Sequence, residues 1–242
     1  MKWAIADVVG IREETPTART LMLKIPDWPG ALAGQHIDIR LTAPDGYQAA
    51  RSYSLSSSAD SDLVEVSVEL MADGEVSPYL VRGVSVGDQL EVIGPLGGWF
   101  IWKPTQPEPL RLIGGGSGIA PLMSILRTHR DAKSTAPVHL LYSVRTPEFV
   151  YYRDELEQLM SGTDAVVTIQ YTRHAPQNWA GTVGRLDAAR VTAWAAETPA
   201  LPDAPVSTYI CGPTRFVELA SDALVASGVD PMSVRTERFG GA

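Results

Sequence analysis

Leu110-Arg111-Leu112-Ile113-Gly114-Gly115-Gly116-Ser117-Gly118-Ile119-Ala120-Pro121 is the stretch that decides how the second half of this chain folds. Leu110–Ile113 is a short apolar run suited to a buried strand, and glycines crowd the positions after it. Beyond them Ile119, Leu122, Met123 and Leu126 recur at helical spacing and share one face. A glycine-rich turn between strand and helix bends tightly and lets a diphosphate approach the backbone. The helix start adds unpaired N–H groups and a positive dipole end. Pro121 is tolerated in the first turn, where its missing N–H would have no partner. The run departs from G-x-G-x-x-G, because Ile119 stands where the third glycine would fall. It points to a related nucleotide-binding topology, with a plain structural turn as the other reading.

Working outward, the region after this turn alternates between strand and helix. Val138–Val144, Ala165–Tyr171, Val206–Cys211 and Ser233–Phe239 read as strands, with helices between them and a helix stop at Gly228. That alternation predicts a parallel sheet with helices on both faces. Towards the N-terminus the pattern changes. Thr20–Ile25, His36–Leu41, Val64–Leu70 and Gln89–Ile93 are short β-rich runs. Turn signals such as Trp28-Pro29-Gly30 and Ala43-Pro44-Asp45-Gly46 separate them. They predict a small antiparallel β-barrel, interrupted by one helical stretch near Val76–Arg82. Lys103-Pro104-Thr105-Gln106-Pro107-Glu108-Pro109 breaks regular structure, so we expect domains at 1–104 and 105–242.

Composition narrows the function. The 242 residues are 45% hydrophobic and 20% charged, with a net charge of −8, which argues against a nucleic-acid-binding surface. Cys211 is the one cysteine, so neither an internal disulfide framework nor an internal iron–sulfur cluster is available. His36, His129, His139 and His174 are scattered, and no metal site is read from them. The N-terminus lacks the basic start and apolar run of a signal peptide, and no stretch is long enough to span a bilayer. A cytoplasmic protein is the expectation.

Four motifs in order then carry a resemblance. Arg51-Ser52-Tyr53-Ser54-Leu55, Gly74-Glu75-Val76-Ser77, the glycine turn, and Tyr209-Ile210-Cys211-Gly212-Pro213 together resemble the ferredoxin–NADP reductase family. The likeness runs from the barrel to Glu237-Arg238-Phe239. It implies a flavin-binding barrel followed by a nicotinamide-nucleotide-binding sheet domain, with FAD and NADPH or NADH as cofactors. Arg51 is implied to meet the flavin pyrophosphate, Tyr53 to lie against the isoalloxazine ring, and Ser54 to put its hydroxyl near the hydride-accepting flavin atom. Gly74, Val76 and Ser77 would form the second flavin-phosphate element, with Ser77 also able to cap a short helix. Gly115, Gly116, Ser117 and Gly118 would cradle the nicotinamide dinucleotide. Cys211 and Gly212 would approach the reacting nicotinamide carbon, and Phe239 would cover the flavin face. Each residue also has a structural reading: a solvated arginine, a core tyrosine, an N-cap, a buried cysteine, a phenylalanine packed in the last strand.

The resemblance implies hydride transfer from NAD(P)H to FAD, then delivery of electrons to a separate acceptor such as a ferredoxin or an oxygenase component. That partner would carry an iron–sulfur cluster or haem, since this chain has no fused ferredoxin-like domain. A stand-alone flavin or quinone reductase and a cofactor-free structural module are the alternatives. NADPH is favoured over NADH because Ser143, Arg145, Arg173 and Arg185 fall where sheet strands end and could converge on a 2′-phosphate. In the competing reading Arg153 and Arg185 merely pair with Asp154, Glu157 or Asp187.

Overall fold

The computed structural model describes residues 2–162, 165–198 and 205–239. The chain divides into two compact units, Met1–Lys103 with Met123–Ala132 and Pro104–Leu122 with Lys133–Ala242.

The first unit holds β1 (Ala4–Thr15), β2 (Ala18–Lys24), β3 (His36–Thr42), β4 (Gln48–Ser54), β5 (Val64–Glu69) and β6 (Gln89–Leu96). They form an antiparallel sheet in the order β4-β3-β6-β1-β2-β5. Alternate residues turn inward, as the two-residue period of a strand requires: Leu21 and Leu23, Ile37 and Ile39, Val64, Val66 and Val68 all enter one core. The two edges then meet. Leu55 bridges Val66, and the Ser56 N–H donates to the Glu65 carbonyl at 2.8 Å, so the sheet curls into a barrel and covers its own edges. The expected barrel is present, and its helix α1 spans Ser77–Arg82 with Leu80 and Val81 buried. The longest strand, β1, is absent from the runs read off the sequence. A bulge between Val8 and Gly10 breaks its alternation, so its apolar residues do not keep a simple period.

Residues 123–132 group with this unit through polar contacts. Arg127 Nη1 donates to Glu65 Oε2 at 3.0 Å and to the Ser56 carbonyl at 2.8 Å, while Ser124 Oγ donates to the Ser57 carbonyl. Arg12 shares the same Glu65 oxygen.

The second unit is a parallel sheet of β7 (Leu110–Gly115), β8 (Val138–Val144), β9 (Val166–Tyr171), β10 (Ser207–Pro213) and β11 (Val234–Phe239), in the order β11-β10-β7-β8-β9. Its helices are α3 (Arg153–Ser161), α4 (Ala188–Ala196) and α5 (Thr214–Ala226), and it holds the start of α2 (Ile119–Asp131), whose residues from Met123 on group with the first unit. Ile113, Leu141 and Ile210 lie in register and pack against Val191 and Trp194 of α4 and Val217 and Leu224 of α5. Leu112, Leu140 and Tyr209, one residue earlier on each strand, are buried on the other face. The expected sheet is thus present, and Gly228 stands past the end of α5 with φ +97°. Among the described residues no helix is long and apolar enough to cross a membrane.

The order of strands reverses between β7 and β10, and the carboxyl ends of such strands are where ligands of open α/β sheets bind. At that point the glycine turn follows β7 as one short 3-10 turn, Gly116–Gly118, before α2. Gly116 has φ +57° and open space where a side chain would start. Gly118 has none: a β-carbon there would lie 2.3 Å from the Cys211 carbonyl oxygen and 2.8 Å from the Gly212 nitrogen. Gly118→Ala should therefore lower stability by about 1–3 kcal/mol, because backbone must move. Gly116→Ala should cost about 1 kcal/mol for its left-handed backbone alone. Denaturant midpoints of the two variants check this, and a Gly118→Ala protein as stable as wild type would refute the close approach.

Candidate functional site

In the barrel, β4 presents the first group of expected site residues. Arg51 pairs with Ile39 and Tyr53 with Ile37 across the β3–β4 ladder, so both stand on one side of the strand, and Ser54 opposite His36 on the other. Tyr53 packs on the barrel core, and burial pushes its hydroxyl well above the usual tyrosine range, opposed by nearby Arg51. It stays a neutral phenol. Arg51 is half exposed, and its Nη1 donates to the Ala50 carbonyl at 2.8 Å. Its Nη2 donates to Glu75, whose other carboxylate oxygen accepts from the Tyr47 hydroxyl. Those two partners, Tyr47 first, hold the Glu75 carboxyl below its usual range. Thus the Gly74–Ser77 loop is joined to β4 through a side chain that the sequence reading quoted but gave no role.

That loop differs from expectation in one respect. Val76, not Ser77, stands at the N-cap of α1, and no side chain caps the helix. The Ser77 hydroxyl is taken up inside the loop, accepting from the Met71 N–H at 3.0 Å. Val76 is buried in the barrel core, so only its backbone could serve a ligand.

In the second unit the glycine turn and Cys211-Gly212 come together at the carboxyl ends of β7 and β10. Gly115, Gly118, Cys211 and Gly212 are buried, whereas Gly116 and Ser117 are half-buried. A β-carbon at Gly115 or Gly212 would meet the same ring, Phe216, at 2.9 and 2.7 Å. Phe216 therefore supports both glycines, a role visible only once α5 is folded against β10. Across the β10–β11 ladder Cys211 faces Glu237, and Pro213 faces Phe239, the last residue of β11. Burial first, and the Glu237 charge second, push the Cys211 thiol well above its usual range, against a hydrogen bond from the Gly212 backbone. The group is a protonated thiol, not a nucleophile.

The expected phosphate-binding residues lie at the ends of β8 and β9. Ser143 is inside β8, buried, in register with Gly115 and Gln170. Past the strand ends the backbone pairing continues, with the Arg173 N–H donating to the Arg145 carbonyl at 3.0 Å. The Gly184 N–H donates to the Tyr171 carbonyl, and Gln170 Nε2 donates to the Thr182 and Gly184 carbonyls, which brings Arg185 to the same edge. Arg145, Arg173 and Arg185 are exposed, and the Arg145 guanidinium lies 5.2 Å from the Phe149 ring centroid. Asp187 caps α4 and pairs with Arg190 rather than with Arg185, and Arg153 donates to the Pro147 carbonyl. An acid stands in the same loops: Glu148 accepts from Thr146 Oγ1 and approaches His174 Nε2 to 3.5 Å. Among the described residues no group of three or more His, Cys, Asp and Glu side chains gathers as a metal site would require.

These features fit dinucleotide phosphates, with an exposed arginine fork in the barrel and a half-buried glycine–serine turn at the sheet's switch point. Comparison with known proteins finds two domain families in this chain. Residues 8–101 match the oxidoreductase FAD-binding domain family, and residues 112–222 match the oxidoreductase NAD-binding domain family. Ferredoxin–NADP reductase B of Sorangium cellulosum is 32% identical over 239 residues, covering 97% of this chain and 96% of the relative. The ferredoxin reductase component of the 3-ketosteroid-9-alpha-monooxygenase of Mycolicibacterium smegmatis is also 32% identical, over 97% of this chain, which spans 64% of that component. The flavohem-like FAD/NAD-binding domain of a nitric oxide dioxygenase from Vibrio cholerae superposes with a TM-score of 0.83 at 25% identity, over 98% of this chain and 99% of that one.

The state of Cys211 is directly testable. Near neutral pH the folded protein should resist iodoacetamide while the urea-unfolded protein is alkylated, because burial keeps the thiol both covered and protonated. Equal labelling rates by mass spectrometry would contradict this description.

Proposed function

The chain belongs to the ferredoxin–NADP reductase family, and we propose that it takes hydride from NADPH in preference to NADH and passes electrons to a separate iron–sulfur or haem protein. It is an NAD(P)H-dependent flavoprotein reductase with an FAD-binding and an NAD-binding domain. FAD, when bound, supplies the atom that accepts hydride and then releases electrons onward.

The protein's own residues bind, orient and shield. Arg51 offers guanidinium donors to the flavin pyrophosphate, joined by backbone N–H groups of Gly74, Val76 and Ser77. Tyr53, neutral and packed on the barrel core, is suited to lie against an apolar ring. Ser54 offers a hydroxyl to the hydride-accepting atom. Gly115–Gly118 bring backbone N–H groups to the nicotinamide dinucleotide, with Gly116 and Ser117 as the half-buried, most accessible positions. Cys211 acts as a small neutral group against the nicotinamide carbon, and a protonated thiol suits that role because no covalent bond is required of it. Gly212 keeps that approach free of a side chain. Phe239, half-buried at the end of β11, shields the flavin face.

The observation that carries the NADPH preference is the continued pairing of Arg145 with Arg173 past the strand ends, with Arg185 drawn to the same edge by Gln170 and Ser143 buried in register behind. A divalent 2′-phosphate is the natural partner of several exposed guanidiniums. Delivery to a separate protein is supported by the relative matched over 96% of its length, whose name gives ferredoxin as the other substrate. Such complexes are transient and salt-sensitive.

Stopped-flow flavin reduction should give a higher kcat/KM with NADPH than with NADH. Arg145→Ala and Arg173→Ala should each erode that ratio by roughly tenfold, the worth of one charged hydrogen bond. A wild type that favours NADH, or a ratio unmoved by both substitutions, would refute the assignment. Ser54→Ala should slow reduction with flavin still bound.

A further inference from the structure

The Tyr47–Glu75–Arg51 cluster lies on the first unit and is accounted for neither by the fold nor by the hydride chemistry. Three exposed side chains from two separate segments converge on it. Tyr47 immediately precedes β4, Arg51 sits within that strand, and Glu75 comes from the loop before α1. Both oxygens of the Glu75 carboxylate are engaged, one by the Tyr47 hydroxyl and one by Arg51 Nη2. Arg51 Nη1 is turned back to the Ala50 carbonyl. One arm of the guanidinium that would meet a pyrophosphate is therefore engaged by a carboxylate, and the other by the backbone.

We propose that Glu75, anchored by Tyr47, competes with the flavin pyrophosphate for Arg51 and so weakens FAD retention by this protein. The inference rests on Arg51 being a pyrophosphate ligand. Given that, the chemistry is a simple exchange: a guanidinium that leaves one anion for another gains less than one that leaves water. The displaced carboxylate also remains beside the incoming phosphates, on the same Gly74–Ser77 loop whose backbone is to bind them, and like charges at that range repel. The carboxyl is ionised at neutral pH, since both of its partners stabilise the charged form. The consequence is a flavin that dissociates and exchanges more readily than the rest of the cradle would allow.

The test is calorimetric titration of FAD into flavin-stripped protein for wild type, Glu75→Gln, Arg51→Ala and the double variant. Glu75→Gln should bind FAD roughly fivefold more tightly at low salt, the upper worth of an exposed ion pair, and the gain should shrink as salt screens the charges. In the Arg51→Ala background the same substitution should gain less, since no fork is left to release. Equal or weaker binding by Glu75→Gln, with Arg51→Ala weakened, would overturn the proposal and make Glu75 a residue that orients Arg51. Failure of the underlying reading looks different: Arg51→Ala would then bind FAD as well as wild type.

Discussion

The backbone of the glycine turn presses against the backbone at the end of β10, and the second unit is arranged around that contact. With a β-carbon at residue 118 falling 2.3 Å from the Cys211 carbonyl oxygen, no side chain fits between the two strands' exits. The approach occurs where the strand order reverses, so the turn and Cys211-Gly212 border the same switch point. Phe216 supports it from α5, meeting both Gly115 and Gly212. Close packing of backbone on backbone leaves Gly116 and Ser117 as the half-buried part of the turn, and buries the cysteine thiol deeply enough to keep it protonated.

Charge is distributed with a different logic in each unit. The chain carries a net −8, yet its anion-binding candidates are locally basic. In the sheet unit, Arg145, Arg173 and Arg185 are assembled by backbone pairing beyond the strands, with the carboxylate of Glu148 held by Thr146 and His174. In the barrel, Arg51 is held by Glu75 itself. One unit presents guanidiniums outward, and the other holds its guanidinium against a carboxylate.

Much of this was legible in the residues, for identifiable reasons. Strands β7, β8 and β10 announce themselves because both faces of a parallel sheet are buried there, giving apolar runs such as Val138–Val144. The four motifs mark turns and strand ends where local chemistry is restricted, and the resemblance they carry together is what singles out Arg51, Gly118 and Cys211. What escaped was set by tertiary pairing. β1 hid behind a bulge that breaks its period. Ser77 satisfies the loop rather than the helix start: Val76 takes the N-cap position, and the Ser77 hydroxyl accepts from the Met71 N–H. Glu75, Tyr47 and Phe216 gain their roles from partners distant in sequence, which no local pattern encodes.

The proposed function requires one event, reduction of FAD held by this chain by a nicotinamide dinucleotide. The most direct measurement is the visible spectrum of the purified, FAD-reconstituted protein under anaerobic conditions, before and after addition of NADPH. A bound oxidised-flavin band should be present and should bleach within the mixing time of a manual experiment. A protein that retains no FAD, or whose flavin band is unchanged by both NADPH and NADH, would contradict the proposed function.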